Sequence, residues 1–131
     1  MSFKLEIVTP DRTVISEEVD FLRVRGTEGE LGILPGHAPL FAVLEIDILQ
    51  FRRDAKEEVV ALMGGFMEVG PDQVSIVSDG AERAVEIDVL RARAAKERAE
   101  AQLAKVKDVG AEVALQRALI RLQAAQGSRA I

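Results

Sequence analysis

Residue 80 divides this chain into two backbone chemistries. All four prolines and eight of the ten glycines precede residue 81, whereas 14 of the 51 residues from 81 onward are alanine. Proline and glycine punctuate short extended runs with turns, while alanine mixed with Leu, Glu, Lys, Arg and Gln is helix composition. A turn-rich β unit followed by helices is the arrangement this permits, and 131 residues suit one well-buried core with an appendage.

The first part reads as short period-two or wholly apolar runs, with strands expected at Phe3–Val8, Val19–Arg25, Leu40–Ile48, Glu58–Met63, Phe66–Val69 and Val74–Val77. Turns are expected at Thr9-Pro10-Asp11, Gly26-Thr27-Glu28-Gly29, Leu34-Pro35-Gly36, Gly64-Gly65 and Gly70-Pro71-Asp72. Six or more strands in about eighty residues leave no room for crossover helices, so the sheet is expected to be antiparallel. After Asp79-Gly80, helices are expected near Ile87–Lys107 and Ala111–Gln126, broken at Gly110 and closed into an antiparallel hairpin by their short connection. Leu115, Ala118, Leu119, Leu122 and Ala125 form the apolar stripe of the second helix, and Ile87, Leu90, Ala94, Ala101 and Val106 a thinner one on the first. The fold class is α+β: an N-terminal antiparallel β-sandwich over residues 1–84, then a C-terminal two-helix hairpin over residues 85–131.

Composition removes several functions. With 48% hydrophobic and 30% charged residues the chain is no disordered polymer, and no apolar run approaches the ~20 residues that span a bilayer, so direct insertion into lipid is not expected. The start, MSFKLEIVTP, lacks a basic region followed by an apolar one, so no export signal is expected. No cysteine is present, and the lone His37 leaves little material for a zinc site or a Ser/His/Asp triad. Without a nucleophile–base pair, a non-enzyme is expected. The net charge of −5 argues against a nucleic-acid binder, yet it hides a split: residues 1–80 carry 7 basic and 15 acidic side chains, and residues 81–131 carry 10 and 7. The second part should meet something anionic.

Several constellations have simple explanations. Gly26-Thr27-Glu28-Gly29-Glu30-Leu31-Gly32 fits no phosphate-loop pattern and opens no helix, so it reads as a hairpin turn. The acidic groups Glu17-Glu18-Asp20 and Glu57-Glu58 read as solvated strand faces rather than metal ligands. The loop Glu30 to Leu40, with Ile33, Leu34 and His37, carries more apolar and proline residues than a polar loop needs, and such loops meet partners. On the helices, Arg91 and Arg98 are seven apart and Arg117 and Arg121 four apart, so each pair shares a face. Four converging guanidiniums would suit a polyphosphate; alternatively they are ordinary solvated arginines, with Asp88 an N-cap.

The runs GELGILPGHAPL (residues 29–40) and GGFMEV (residues 64–69), followed by an Ala/Arg hairpin, resemble the epsilon subunit of bacterial F-type ATP synthase over the whole chain. That resemblance implies a non-catalytic central-stalk rotor subunit. Its sandwich would bind the gamma subunit and the c-ring, with Glu30 at the c-ring contact. Its hairpin would fold down compactly or extend beside gamma into the catalytic head, where it blocks ATP hydrolysis; the basic hairpin would suit an acidic segment of the catalytic beta subunit. Peripheral attachment at the cytoplasmic face of the bacterial cell membrane follows. Ile87-Asp88-Val89-Leu90-Arg91-Ala92 also matches the I/L-D-x-x-R-A motif of the family's ATP-binding subset. By that likeness Ile87, Asp88 and Ala92, with Glu82 upstream, would lie toward the adenine, and Arg91, Arg98, Arg117 and Arg121 would face the phosphates of ATP, with or without magnesium. A free-standing ATP-sensing module is the alternative.

Overall fold

The computed structural model describes residues 1–127. Eight strands come first: β1 (Phe3–Val8), β2 (Thr13–Val19), β3 (Phe21–Gly26), β4 (Gly29–Ile33), β5 (Leu40–Arg53), β6 (Lys56–Val69), β7 (Gln73–Val77) and β8 (Ala81–Arg83). A 3-10 turn at Ala84–Glu86 then leads to helices α1 (Val89–Lys105) and α2 (Val109–Ala125). The strands run in the order β2-β1-β7-β6-β5-β3-β4, with β8 against β6. The sheet closes over a single core that draws Leu5, Ile7, Ile15, Leu22, Ile33, Phe51, Leu62, Met67 and Ile76 from seven of the strands. This is the α+β arrangement of sandwich and hairpin that the partition at residue 80 implies.

One pairing departs from the antiparallel expectation. β1 and β7 run parallel, Leu5 opposite Val74 and Ile7 opposite Ile76. A parallel pair needs a long connection, and here five intervening strands supply it instead of a helix. Three strands escaped the sequence reading in whole or part. β2 carries Glu17 and Glu18 where alternation would want apolar residues, β4 holds two glycines, and β8 lies beyond the composition boundary.

β5 and β6 are each 14 residues long and pair from Leu40↔Val69 to Arg53↔Lys56. Gly64-Gly65 is therefore no turn. Both strands change there which side they turn inward: Leu44 and Met67 face the core, while Ile46 and Met63 face out. Gly65 has φ 132°, and a Cβ on it would collide with the carbonyl oxygen of Val77. The true reversal is the two-residue turn Asp54-Ala55, with φ 50° and 67°, a type I′ geometry without the usual glycine.

Asp88 ends the connector and starts α1, its Oδ1 accepting the Arg91 N–H at 3.0 Å; Asp108 starts α2 by accepting from Ala111 N–H at 3.2 Å. The break between the helices falls at Val106 to Asp108, where α1 ends and the Asp108 cap starts α2, and Gly110 sits inside the first turn of α2. The expected stripe on α1 is also wrong. Its buried residues are Ala92 and Ala99, on the side that meets α2, whereas Leu90 and Val106 are exposed and Ile87 lies before the helix begins at Val89. α2 lies over the outward side of β5 and β6, where Ile48, Val59, Ala61, Met63, Ile87 and Ala124 make a second apolar cluster edged by Ile46, Ile120 and Ala125. α1 rests chiefly on α2.

Candidate functional site

Between sandwich and hairpin runs a connector held mostly by ion pairs. Ala81 is buried in the main core and Ile87 in the second cluster. Between them, Arg83 reaches Glu58 at 2.6 Å and Glu17 at 3.2 Å, and Arg12 grips Glu86 with two bonds of 2.8 and 3.1 Å. The Glu86 carboxyl also accepts the Arg83 N–H at 3.0 Å. The Arg12 hydrogen bond, more than any other influence, holds Glu86 below the usual carboxylate range, against a smaller opposing effect of burial. The acidic groups read as solvated faces are thus engaged: Glu17 pairs with Arg53 and Arg83, Glu58 with Arg83, and Asp20 with Arg52. Among the described residues no group of three His, Asp or Glu side chains is placed to hold a metal ion.

Directly beside the connector lies a cavity of about 330 Å³ lined by Glu82, Asp88, Arg91, Ala92, Ala95, Arg98 and Arg121. β8 supplies Glu82, the connector Asp88, α1 the next four residues, and α2 Arg121. Arg91 and Arg98 stand two turns apart, with Ala92 and Ala95 on the same wall, so the small residues leave the room that the guanidiniums border. Arg121 donates from Nε to Glu82 Oε1. The lining thus combines three guanidiniums and two carboxylates, one of each committed to the other, while one oxygen of Asp88 is occupied in capping α1. An oxyanion with several oxygens suits such a wall.

Two residues of the expected ATP set stand apart. Ile87 is buried against Ile48, Val59 and Ala124, so its side chain serves the seat of the hairpin. Arg117 does not line the cavity, and its Nε is buried with no hydrogen-bond partner among the described residues. A guanidinium N–H buried in that state costs free energy unless something accepts from it.

The expected docking loop divides similarly. Leu34 is exposed at a tight turn in which the His37 N–H donates to the Leu34 carbonyl at 3.1 Å and Gly36 takes φ 81°. Ile33, in contrast, is 1% exposed and belongs to the main core, so it cannot touch a partner. Glu30 lies 3.5 Å from Arg23, and the His37 ring is 2.7 Å from the Ala38 carbonyl. Sequence reasoning missed a larger surface. Phe41, Phe66 and Val77 are 64%, 54% and 58% exposed, with Val43 beside them. The two rings stack at 6.1 Å, and an open hollow of about 520 Å³ runs along Val43, Phe66, Val77, Val8 and Pro10. The signal was the wholly apolar run Leu40-Phe41-Ala42-Val43-Leu44: a strand apolar on both sides needs cover on both.

Known proteins share this arrangement. The family model described as ATP synthase, Delta/Epsilon chain, beta-sandwich domain matches residues 2–84, and that of the same family's long alpha-helix domain matches residues 86–126. The ATP synthase epsilon chain of Syntrophobacter fumaroxidans is 50% identical over 94% of this chain and 95% of its own length. That of Pelotomaculum thermopropionicum is 55% identical over 78% and 76%. A chain of the Euglena gracilis mitochondrial ATP synthase, solved with OSCP, F1 and c-ring, superposes with a TM-score of 0.80 at 27% identity, covering 95% of this chain and 81% of that one. The chain belongs to the ATP synthase delta/epsilon family.

Proposed function

We propose that this chain is the epsilon subunit of an F-type ATP synthase that regulates ATP hydrolysis through its hairpin and carries ATP between hairpin and sandwich. It is a non-catalytic stalk subunit, in keeping with its family. The sandwich docks on gamma and the c-ring, using Leu34, His37, Glu30 and the bare surface around Phe41 and Phe66. The hairpin, when extended, reaches the catalytic beta subunit and stops hydrolysis. Attachment is peripheral, at the cytoplasmic face of the bacterial cell membrane; among the described residues no helix is long and apolar enough to cross one. The uncovered Phe41–Phe66 surface argues against the alternative of a free-standing ATP sensor, which would leave that area in water without use.

One observation carries the regulatory reading: the arginine-lined cavity is built from β8, α1 and α2 together, so it exists only while the hairpin is folded down. A ligand held there favours the folded-down state by its difference in affinity for the two states and opposes extension by the same amount. Arg91, Arg98 and Arg121 are the phosphate donors, with the buried Nε of Arg117 next to draw in. Magnesium, if it accompanies ATP, would be met by Glu82 and the free oxygen of Asp88.

Titration calorimetry with ATP tests this. Arg91→Ala should weaken binding by about 1.5–3 kcal/mol, roughly tenfold to a hundredfold. Equal affinity in wild type and variant would remove ATP from the reading. Asp88→Ala is a poorer probe, because it also strips the cap of α1.

A further inference from the structure

In the folded-down hairpin, one of the three cavity arginines is already occupied by a carboxylate. Arg121 Nε donates to Glu82 Oε1, and both side chains are about one-third exposed at the cavity wall. No ion pair engages Arg91 or Arg98 among the described residues, so the cavity offers two uncommitted guanidiniums and one that must be taken from an internal partner. Glu82 cannot retreat freely. It sits on β8, where Ala61↔Glu82 pairing and the flanking Ala81 and Arg83 hold the backbone, the first in the core and the second bound to Glu58. Arg121, a long side chain on α2, is the member of the pair able to swing.

We infer that Glu82 is a resident anion that competes with phosphate for Arg121, so that it lowers the site's affinity for polyphosphates and narrows its preference for the longer ones. This rests on the reading of the cavity as a polyphosphate site and adds to it an internal competitor that limits its affinity. A diphosphate satisfies Arg91 and Arg98 and leaves the Glu82–Arg121 pair intact. A triphosphate brings a further group with enough charge to draw Arg121 away. The carboxylate thus lowers affinity for every polyanion, most where the ligand depends on Arg121.

The experiment titrates the full chain, in EDTA so that no cation bridges Glu82 to the ligand, with inorganic tripolyphosphate and with pyrophosphate. Having no base, these probes leave out any contact of Glu82 with adenine. Glu82→Gln keeps the shape and removes the charge. It should bind tripolyphosphate about three- to tenfold more tightly than wild type, with a smaller gain for pyrophosphate. In an Arg121→Ala background the same change should give little further gain, since the competitor has lost its object. Unchanged or weaker tripolyphosphate binding by Glu82→Gln overturns the inference. So does an equal gain with and without Arg121, which would make Glu82 a general repulsive charge. Thermal melts of each variant establish that it is folded. ATP titration of the wild type is read separately: ATP failing to bind while Glu82→Gln still gains for tripolyphosphate would sink the ATP reading and leave this one standing.

Discussion

The sandwich buries Phe51, Leu62, Met67 and Ile76 almost completely, whereas the buried helix residues of the hairpin are Ala92, Ala99, Ala111, Ala118, Ala124 and Gln123. A large apolar side chain taken out of water contributes about 1.5–3 kcal/mol and a single methyl-sized group about 0.8. The hairpin's hold on the sandwich therefore rests on a small seat around Ile87 and Ala124, reinforced by the ion pairs of the connector. One region is built to stay folded, the other to leave without unfolding the first. The outward side of β5 and β6 shows the same contrast at close range: α2 covers Ile48, Val59, Ala61 and Met63, while Phe41, Val43 and Phe66 are bare. Beyond the Gly64-Gly65 bend none of the described residues covers that surface.

The largest effect is expected in the core of the sandwich. Phe51→Ala should destabilise the sandwich by about 3–5 kcal/mol and take the hairpin site with it, seen as a single lowered denaturant midpoint. Ile87→Ala should cost about 2 kcal/mol and act on docking alone. Distance measurement between labels on β5 and α2 should then show a released hairpin while the melting of the sandwich stays in place. A common loss of both signals in Ile87→Ala would mean that hairpin and sandwich form one cooperative unit.

A second test concerns the uncovered surface. Phe66→Asp should leave the melting temperature of the isolated chain nearly unchanged, because the ring is already in water, but weaken assembly with gamma by about 2 kcal/mol or more, as loss of a central aromatic contact does. Retained assembly would move the docking surface back to the Leu34 turn.

How far the sequence could be read follows from the same division. The helix-forming composition after residue 80 and the apolar runs before it are local signals, so sandwich, hairpin and both helices were legible. What was lost depended on contacts between distant segments. Gly64-Gly65 looks like a turn, and only the approach of the Val77 carbonyl shows it as a bend inside β6. Ile33 looks like part of an exposed loop, yet it pairs opposite Leu22 and packs into the core. For the site, the motif that brought Asp88, Arg91 and Ala92 to notice is local to one helix start. The Glu82–Arg121 pair spans 39 positions and has no sequence signature.

The turn between β5 and β6 is strained without a glycine. Ala55 holds φ 67°, where a Cβ is disfavoured, so Ala55→Gly should stabilise the sandwich by about 1 kcal/mol, observed in chemical denaturation. Docking of the hairpin should not change. A loss of stability instead would show that the greater freedom of glycine in the unfolded chain outweighs the relief of strain.

The smallest expected effect is the dependence of docking on pH through Glu86. Its carboxyl is held below the ordinary range by the Arg12 guanidinium first and by the Arg83 N–H as well, while Glu82 and Asp11 lie near enough to Arg12 to share its field. A depressed carboxylate contributes stability that is fully present above its ordinary value of about 4.3 and is lost as pH falls through the depressed one. The side chain of Glu86 is 35% exposed, so water and salt screen the interaction and the contribution is modest. The folded-down population should accordingly hold steady from neutrality to about pH 5 and decline below that. Added salt should lower it at neutral pH, because the same ion pair is screened. Glu86→Gln should flatten that part of the acid decline, whereas Glu17→Gln, which touches Arg83 but not Arg12, should leave the Arg12 contribution in place. If Glu86→Gln titrates like the wild type in the label-distance measurement, the connector's Arg12 clasp is incidental, and the hairpin is seated by Ile87 and its neighbours with the Arg83–Glu58 and Arg121–Glu82 pairs.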